Sequence, residues 1–398
     1  MKKIILCGNL FTAKSKKIES NKAIIINNNI IRNIINIKEI NNIKEYEVID
    51  LSSNFVMPGL IDAHVHINMN GELDSDRLFL YQSPSEITLN SMKYVQDDLM
   101  AGYTSLRDVG SVGFSDVAVR NAINKNQYWG PRMLVSGWSI SPPGGSSDSK
   151  CFKGIEGNHP HGRIVNGVSE VLKAVRENFK YGADAIKLMV TNSDGFMDMT
   201  YDEMSVAVSI AKSHNSTVAA HASGIESVIN AVKAGITSIE HGTNINEEVA
   251  MMMKDNNTFV VPTLMAVTMR PKRNLLNGID TEKSEMNIEN IKDTIMLYKE
   301  NNVKICFGSD AAIPYISHGS QWEEFKLLVE SGLTEEEALL SATKNNSELL
   351  NWEDKVGTIE PGKFADIIAI EKNPIDDISH MKNCIFVMKN GTIYKNVI

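Results

Sequence analysis

The sequence predicts an α/β protein: a (β/α)8 TIM barrel with a small β-sandwich domain built from both chain termini. Three observations carry this. Eight short apolar segments recur through the middle of the chain, most of them separated by helix-period stretches. Both ends are rich in strand signals. The length of 398 residues suits one large domain and a smaller one.

Residues 1–54 alternate short Ile/Val runs with Asn/Lys clusters, as in "NKAIIINNNIIRNIINI". This reads as short strands and turns and forms the N-terminal part of the sandwich domain. Residues 55–350 are the expected barrel, with strands "GLIDAHVH", "GYTSLRDVG", "PRMLVSG", "ADAIKLMV", "TVAAHA", "SIEHG", "TFVVPTL" and "VKICFGSD". Amphipathic helices fall between them, for example "VSEVLKAVRENFKYG", and "TEEEALLSATKNNSELL" opens with Thr334 and Glu337 as a capping box. Eight strands and their helices over this length match a barrel of about 250 residues or more. Residues 351–398 return to strands, with an Asn-Gly hairpin signal at Asn390 and Gly391, and complete the sandwich domain.

Composition excludes several functions. Hydrophobic residues make up 42% and charged residues 22%, as in soluble globular chains. A net charge of −9 and the lack of a basic run interleaved with aromatics argue against a nucleic-acid surface. Apolar stretches fall short of the roughly 18 residues of a membrane span. "MKKIILCGNLF" is too short for a signal peptide's apolar region, and Cys7 stands too near the start for a lipid anchor. Cys7, Cys151, Cys306 and Cys384 are scattered without a Cys-x-x-Cys, so free thiols in a reducing, cytoplasmic setting are expected.

Chemistry is concentrated at strand ends. In "VMPGLIDAHVHI", His64 and His66 are two apart, so both project from the same face of the first barrel strand, at the end where barrels place their active sites. Alone, such a pair could be surface or satisfied core residues. Lys187 in "ADAIKLM", His221 in "VAAHASG", His241 in "SIEHGT" and Asp310 in "CFGSDAA" occupy corresponding places on later strands. A lysine inside an apolar strand is costly unless paired or chemically altered. Four imidazoles, one lysine and one aspartate on one barrel face would suit two divalent metal ions, Zn(II) being the expected one, with Lys187 carbamylated to bridge them.

On these motifs the chain resembles the amidohydrolase superfamily in its two-metal, carboxylated-lysine form. "VMPGLIDAHVH", "GADAIKLM", "HASG", "IEHGT", "GSDAA", "VGTIEPGKFADIIAI" and "VMKNGTIY" carry the resemblance over nearly the whole length. Within the superfamily, "SIEHGTNINEEVAMMMKDNNTFVVPTL" and "EEFKLLVESGLTEEEALLSATKNNSELL" look most like the Xaa-Pro dipeptidase and metallo-carboxypeptidase branch, which is related to imidazolonepropionases. The resemblance implies one metal on His64, His66 and Asp310, a second on His221 and His241, and carboxylated Lys187 as the bridge. It also implies attack of a metal-bridging hydroxide on a C–N amide bond of a dipeptide or N-acyl amino acid, with Asp310 as general acid and base. A small-molecule substrate follows, with no nucleic-acid or membrane partner. A homo-oligomer would be usual for such enzymes, although no residue marks an interface.

Two departures from that branch bear on substrate. Where many members carry Gly-Gly-His after the third strand, this chain reads "SPPGGSSDSK" with Ser146 at the His position, and "VPTLMAVTMRP" lacks the Tyr often found there. His159 and His161 in "GNHPHGR" are candidate substrate contacts, the alternative being a solvated loop. Arg163 could take a substrate carboxylate bidentately or be an ordinary surface arginine. His318 in "AIPYISHGSQ" could line the pocket. Arg107 and Asp108 either orient the metal site or pair with each other. His214 reads as exposed, His380 as structural, and Met251 to Met253 as core packing. A cyclic-amide or imidazolone hydrolase, a deaminase or a lactonase on the same fold is the nearer rival. Deaminases of this kind use a Glu near the fifth-strand His, and here Gly224 stands three residues after His221. A non-catalytic binding or scaffold member is the farther rival, and it would be marked by lost ligands, whereas all six are present.

Overall fold

Both chain ends enter one seven-stranded sheet in the computed structural model, which describes residues 2–73, 75–148, 158–159, 161–192, 195–276 and 281–397. Its strand order is Thr392–Asn396, Cys384–Lys389, Ile367–Ile370, Glu47–Pro58, Lys2–Phe11, Ile18–Asn27, Ile30–Asn36. Lys2–Phe11 pairs antiparallel with Ile18–Asn27 and parallel with Glu47–Pro58, and the latter strand runs unbroken across position 54. Ile5, Cys7, Leu10, Val56, Ile367 and Phe386 form one buried cluster on this sheet. The Asn-Gly hairpin is present: Asn390 and Gly391 take φ of +49° and +72°, the pattern of a type I′ turn. Glycine is required at 391, because a Cβ there would stand 2.1 Å from the Asn28 carbonyl oxygen.

The central region is α/β. Leu60–Val65, Tyr103–Asp108 and Arg132–Val135 form a three-stranded parallel sheet. Ile186–Met189, Val218–Ala222, Ser238–His241 and Phe259–Val261 run parallel in a second sheet, which continues through Ile140–Ser141 and Gly162–Ile164 to Asn158–His159. Main-chain hydrogen bonds connect the two. The Val135 carbonyl accepts from Asp184 N at 2.7 Å and Ala185 N at 3.2 Å, Cys306 N donates to Val260 O at 2.8 Å, and Ala63 N donates to Phe307 O at 3.0 Å.

The expected strand "VKICFGSD" is not a regular strand but an extended segment with single bridges, Val260 to Ile305 and Val65 to Ala311. Two local features explain this. Gly308 lies so close to its neighbours that a Cβ would meet the His64 Cβ at 2.8 Å and Val261 Cγ1 at 2.3 Å. The buried Asp62 carboxylate accepts from Ser309 N at 3.2 Å and Ser309 Oγ at 2.5 Å, a side chain replacing part of the ladder.

The helices follow their sequence signals. Val168–Tyr181 buries Val171, Ala174 and Val175 and stops at Gly182, whose φ is +100°. Thr334 and Glu337 form the expected capping box ahead of Glu335–Leu340. The segment then widens over Ser341–Asn345 before Asn346–Leu349, and Asn346 Nδ2 donates to Ile61 O at 2.6 Å and Phe307 O at 2.8 Å. The wide turn thus delivers an amide that ties the first strand to the eighth segment. Arg132 fixes the terminal sheet to this region through Asp366 Oδ2 at 2.6 Å and Asn390 Oδ1 at 2.7 Å. Cys7, Cys306 and Cys384 are buried free thiols, while Cys151 lies outside the described residues. Among the described residues no helix is long and apolar enough to cross a membrane.

Candidate metal centre

The parallel strands bring their carboxyl ends to one place. His64 ends the first strand and is 1% exposed, and the ring of His66 lies 5.5 Å from it, centroid to centroid. The His241 ring is 5.3 Å from His64 and 4.5 Å from His221. Asp310 Oδ1 stands 3.5 Å from His64 Nε2 and 3.4 Å from His66 Nε2. The ligand atoms of His64, His241 and Asp310 lie within 4.8 Å of one another, a group that could hold a metal ion.

Hydrogen bonds around the rings set which nitrogen keeps a lone pair. His64 Nδ1 is bonded to Glu240 Oε2 at 2.7 Å, and His66 Nδ1 to the Gly110 carbonyl at 3.0 Å. Both acceptors require an Nδ1–H and leave Nε2 free to ligate. Thr263 Oγ1 donates to Pro262 O at 2.8 Å, so it accepts from His241 Nδ1 at 2.6 Å. Ser146 Oγ donates to Thr191 O at 2.7 Å and therefore accepts from His221 Nε2 at 3.3 Å, leaving Nδ1 as the donor atom of that ring.

Electrostatics agree with this donor set for three of the four rings; burial would lower His66 as well, but the Asp310 carboxylate raises it. Burial, with the charge of Lys187, lowers His64 to about 4 and His221 to about 3, and burial holds His241 well below the ordinary histidine value, so all three favour the neutral form. Burial alone would raise the Asp310 carboxyl, but the neighbouring His64, His66 and His241 rings hold it well below the usual carboxylate range. Its buried Oδ1 has no hydrogen-bond partner among the described residues. An ionised oxygen without a donor, facing imidazole lone pairs, fits a divalent cation. His241, Thr263 and Asp310 also take positive φ, at +69°, +49° and +57°. For a β-branched threonine this is unusual, and such strain clusters at functional sites.

Lys187 lies on the same strand set, is 2% exposed and makes no ion pair among the described residues. Burial lowers it to about 8, against the opposing pull of Glu240 and Asp310. An uncharged amine is therefore within easy reach near neutral pH.

One supporting residue, Glu240, is not evident from the strand pattern. Glu240 is fully buried and joins His64 to Arg107, whose Nη2 donates to Glu240 Oε1 at 2.8 Å. Arg107 also donates to Ala63 O at 2.5 Å and Ser238 Oγ at 2.9 Å. Asp108 faces elsewhere, accepting from Ile67 N at 2.8 Å and Gly110 N at 3.0 Å, so the two do not pair with each other. Both brace the strand ends that carry the histidines.

The candidate substrate contacts are placed less uniformly. Only the backbone of His159 is described. The His161 ring meets Phe79 edge-on at 5.0 Å, and its carbonyl accepts from Ser139 Oγ at 2.6 Å. Arg163 is ion-paired with Glu177, so its guanidinium is already engaged. His318 is turned to Asp98, with Nδ1 at 2.8 Å from Oδ2, and stacks on Tyr94 with ring centroids 5.3 Å apart. His214 is exposed and stacks on Phe179, and His380 Nδ1 bonds Asn373 O at 2.9 Å. Of the methionines, Met253 is buried while Met251 is 52% exposed, so only part of that cluster packs in the core.

An α/β chain whose parallel strands end in clustered imidazoles beside a buried aspartate is a hydrolase of the amidohydrolase type. Residues 55–394 match the Amidohydrolase family, and the chain belongs to it. Ochratoxinase of Aspergillus niger is 28% identical over 371 residues, covering 85% of this chain and 75% of the relative. The crystal structure of a Xaa-Pro dipeptidase with methionine bound in its active site aligns with a TM-score of 0.90 and 34% identity, covering 100% of both chains. A prolidase complexed with N-methylphosphonate-L-proline aligns with a TM-score of 0.88 and 27% identity, again over 100% of both chains.

Proposed function

We propose that this hydrolase cleaves a C–N amide bond adjacent to a free carboxylate, in a dipeptide or an N-acyl amino acid, at a centre for two divalent ions. The observation that carries the reading is the buried Oδ1 of Asp310, which stands among the imidazoles without a hydrogen-bond partner among the described residues. In this reading the parallel strands close as a (β/α)8 barrel through the segment at 304–311, with the terminal strands as its companion domain. His64, His66 and Asp310 would hold one ion and His221 and His241 the second, with carbamylated Lys187 as their shared anionic ligand; Zn(II) would suit the N/O donor set. When bound, the ions supply an acidified water at neutral pH and polarise the scissile carbonyl.

The chain's own groups do the rest. Glu240 and Arg107 fix the His64 ring through Nδ1, and Thr263 does the same for His241. Asp310 takes the proton of the attacking water on its carboxylate and passes it to the leaving amine, which departs neutral. Support for an amino-acid product comes from the 34% identical Xaa-Pro dipeptidase, whose structure has methionine bound in the active site.

The test is amine release by metal-loaded protein from a panel of dipeptides and N-acyl amino acids, run beside lactones and cyclic imides. Hydrolysis confined to substrates with a free carboxylate next to the amide is expected, with about two divalent ions per chain and loss of activity on chelation. Turnover of lactones or imides alone would overturn the substrate assignment.

Replacing Glu240 by Gln should weaken metal binding about 10- to 100-fold, because an amide holds His64 Nδ1–H less well than a carboxylate and leaves Arg107 without its counter-charge. Competition against a chelator of known affinity measures this. Unchanged affinity would mean that Glu240 serves the core and not the ligand.

A further inference from the structure

The helix Leu264–Leu276 begins immediately after Thr263, the residue bonded to His241 Nδ1. Glu324 anchors its first turn, accepting from Leu264 N and Met265 N at 2.8 Å each. Arg273 sits near the far end of this helix, yet its side chain folds back: Nη2 donates to the Ala266 carbonyl at 3.3 Å. The guanidinium therefore lies over the turn nearest the metal centre. Pro271, two residues before it, removes a helix hydrogen bond and loosens the turn along which the side chain runs.

The environment of that guanidinium is unusual. Nε is sealed from solvent and has no hydrogen-bond partner, and among the described residues no carboxylate stands within ion-pair distance of Arg273. The residue as a whole is half-buried, so part of it remains approachable. Loss of hydration lowers its guanidinium to about 10, opposed by the charge of Asp310, which shows the two to be in electrostatic reach. A shielded cation with no counter-charge among the described residues is suited to bind an anion. Arg163, the arginine that the sequence offers for this purpose, is taken by Glu177.

We propose that Arg273 is the residue that binds the free carboxylate of the substrate, through the part of its guanidinium that remains approachable. This rests on the amide-hydrolase reading above and adds to it the group that selects the carboxylate. A substrate held by Arg273 over the first turn of the helix would present the amide next to that carboxylate to Asp310.

The experiment compares metal-loaded wild type, R273K and R273M on an N-acyl amino acid and on its C-terminal carboxamide. The acid should lose on the order of 10²-fold in kcat/KM in R273M, mostly through KM, so that the preference for acid over carboxamide collapses. R273K should recover part of the loss, since a lysine keeps the charge without the fork. Circular dichroism and metal content report on folding. An acid preference that survives in R273M overturns the proposal. Calorimetric binding of free L-methionine to the metal-loaded proteins separates this inference from the activity. Should no amide be hydrolysed, tight binding by wild type that is lost in R273M still supports Arg273, and equal or absent binding refutes it.

Discussion

Asp310→Asn should lower turnover by on the order of 10²- to 10⁴-fold, the range for a positioned general acid and base, while the protein stays folded. Asparagine is the fair substitution here. Asp310 has a φ of +57°, a conformation that asparagine adopts more readily than most residues, and its backbone N–H still donates to His64 O at 2.8 Å. The amide fills the same space but cannot take a proton from water or return one to the amine. It is also neutral, so the imidazoles of His64 and His66 lose their anionic neighbour. Steady-state kinetics, metal content and circular dichroism on the same preparation separate the possibilities. Activity above a tenth of wild type, at full metal content, would sink the assigned mechanism.

The strand pattern made most of this site legible, since alternation alone puts His64 and His66 on one face and both Nε2 atoms do reach Asp310 Oδ1. Glu240 is different. It adjoins His241, and strict alternation would send the two side chains to opposite faces. The left-handed turn at His241 breaks the alternation, so Glu240 can bond His64 while the His241 ring still lies 5.3 Å from that same residue. A one-residue conformational switch leaves no periodic trace. The segment "VKICFGSD" departs from a regular strand for a related reason: its residues are apolar enough for a strand, but the Asp62 to Ser309 bonds and the crowding of Gly308 against His64 involve a segment almost 250 residues away in sequence. His318 likewise finds Asp98 across 220 positions. Arg273 reads locally as one more cation in "MRPKRN", and only the fold of its side chain back to Ala266 sets it apart.

Lys187→Ala should lose metal at the bridged centre and most of its turnover, and short carboxylates such as formate or acetate should restore part of both. Burial brings Lys187 down to about 8 from an ordinary 10.5, so the fold disfavours its charged form. The sign follows by linkage. Between those two values the unfolded chain binds the proton first, and stability falls as pH drops from above 10.5 through 8, by about 3 kcal/mol once both states are protonated. A lysine held at such a cost in an apolar strand is explained if it does not remain an ammonium. In the proposed carbamate, the neutral amine would add to the carbon of CO2 and release a proton, replacing a disfavoured cation by an anion with two oxygens for the proposed cations. Alanine removes the anion and leaves a space about the size of a short carboxylate beside the ligands. Rescue that rises with carboxylate concentration and is absent in wild type supports the carbamate. A variant that keeps full metal and full activity without any added carboxylate would show that Lys187 is a packing residue, and the bridge would have to be sought in another group.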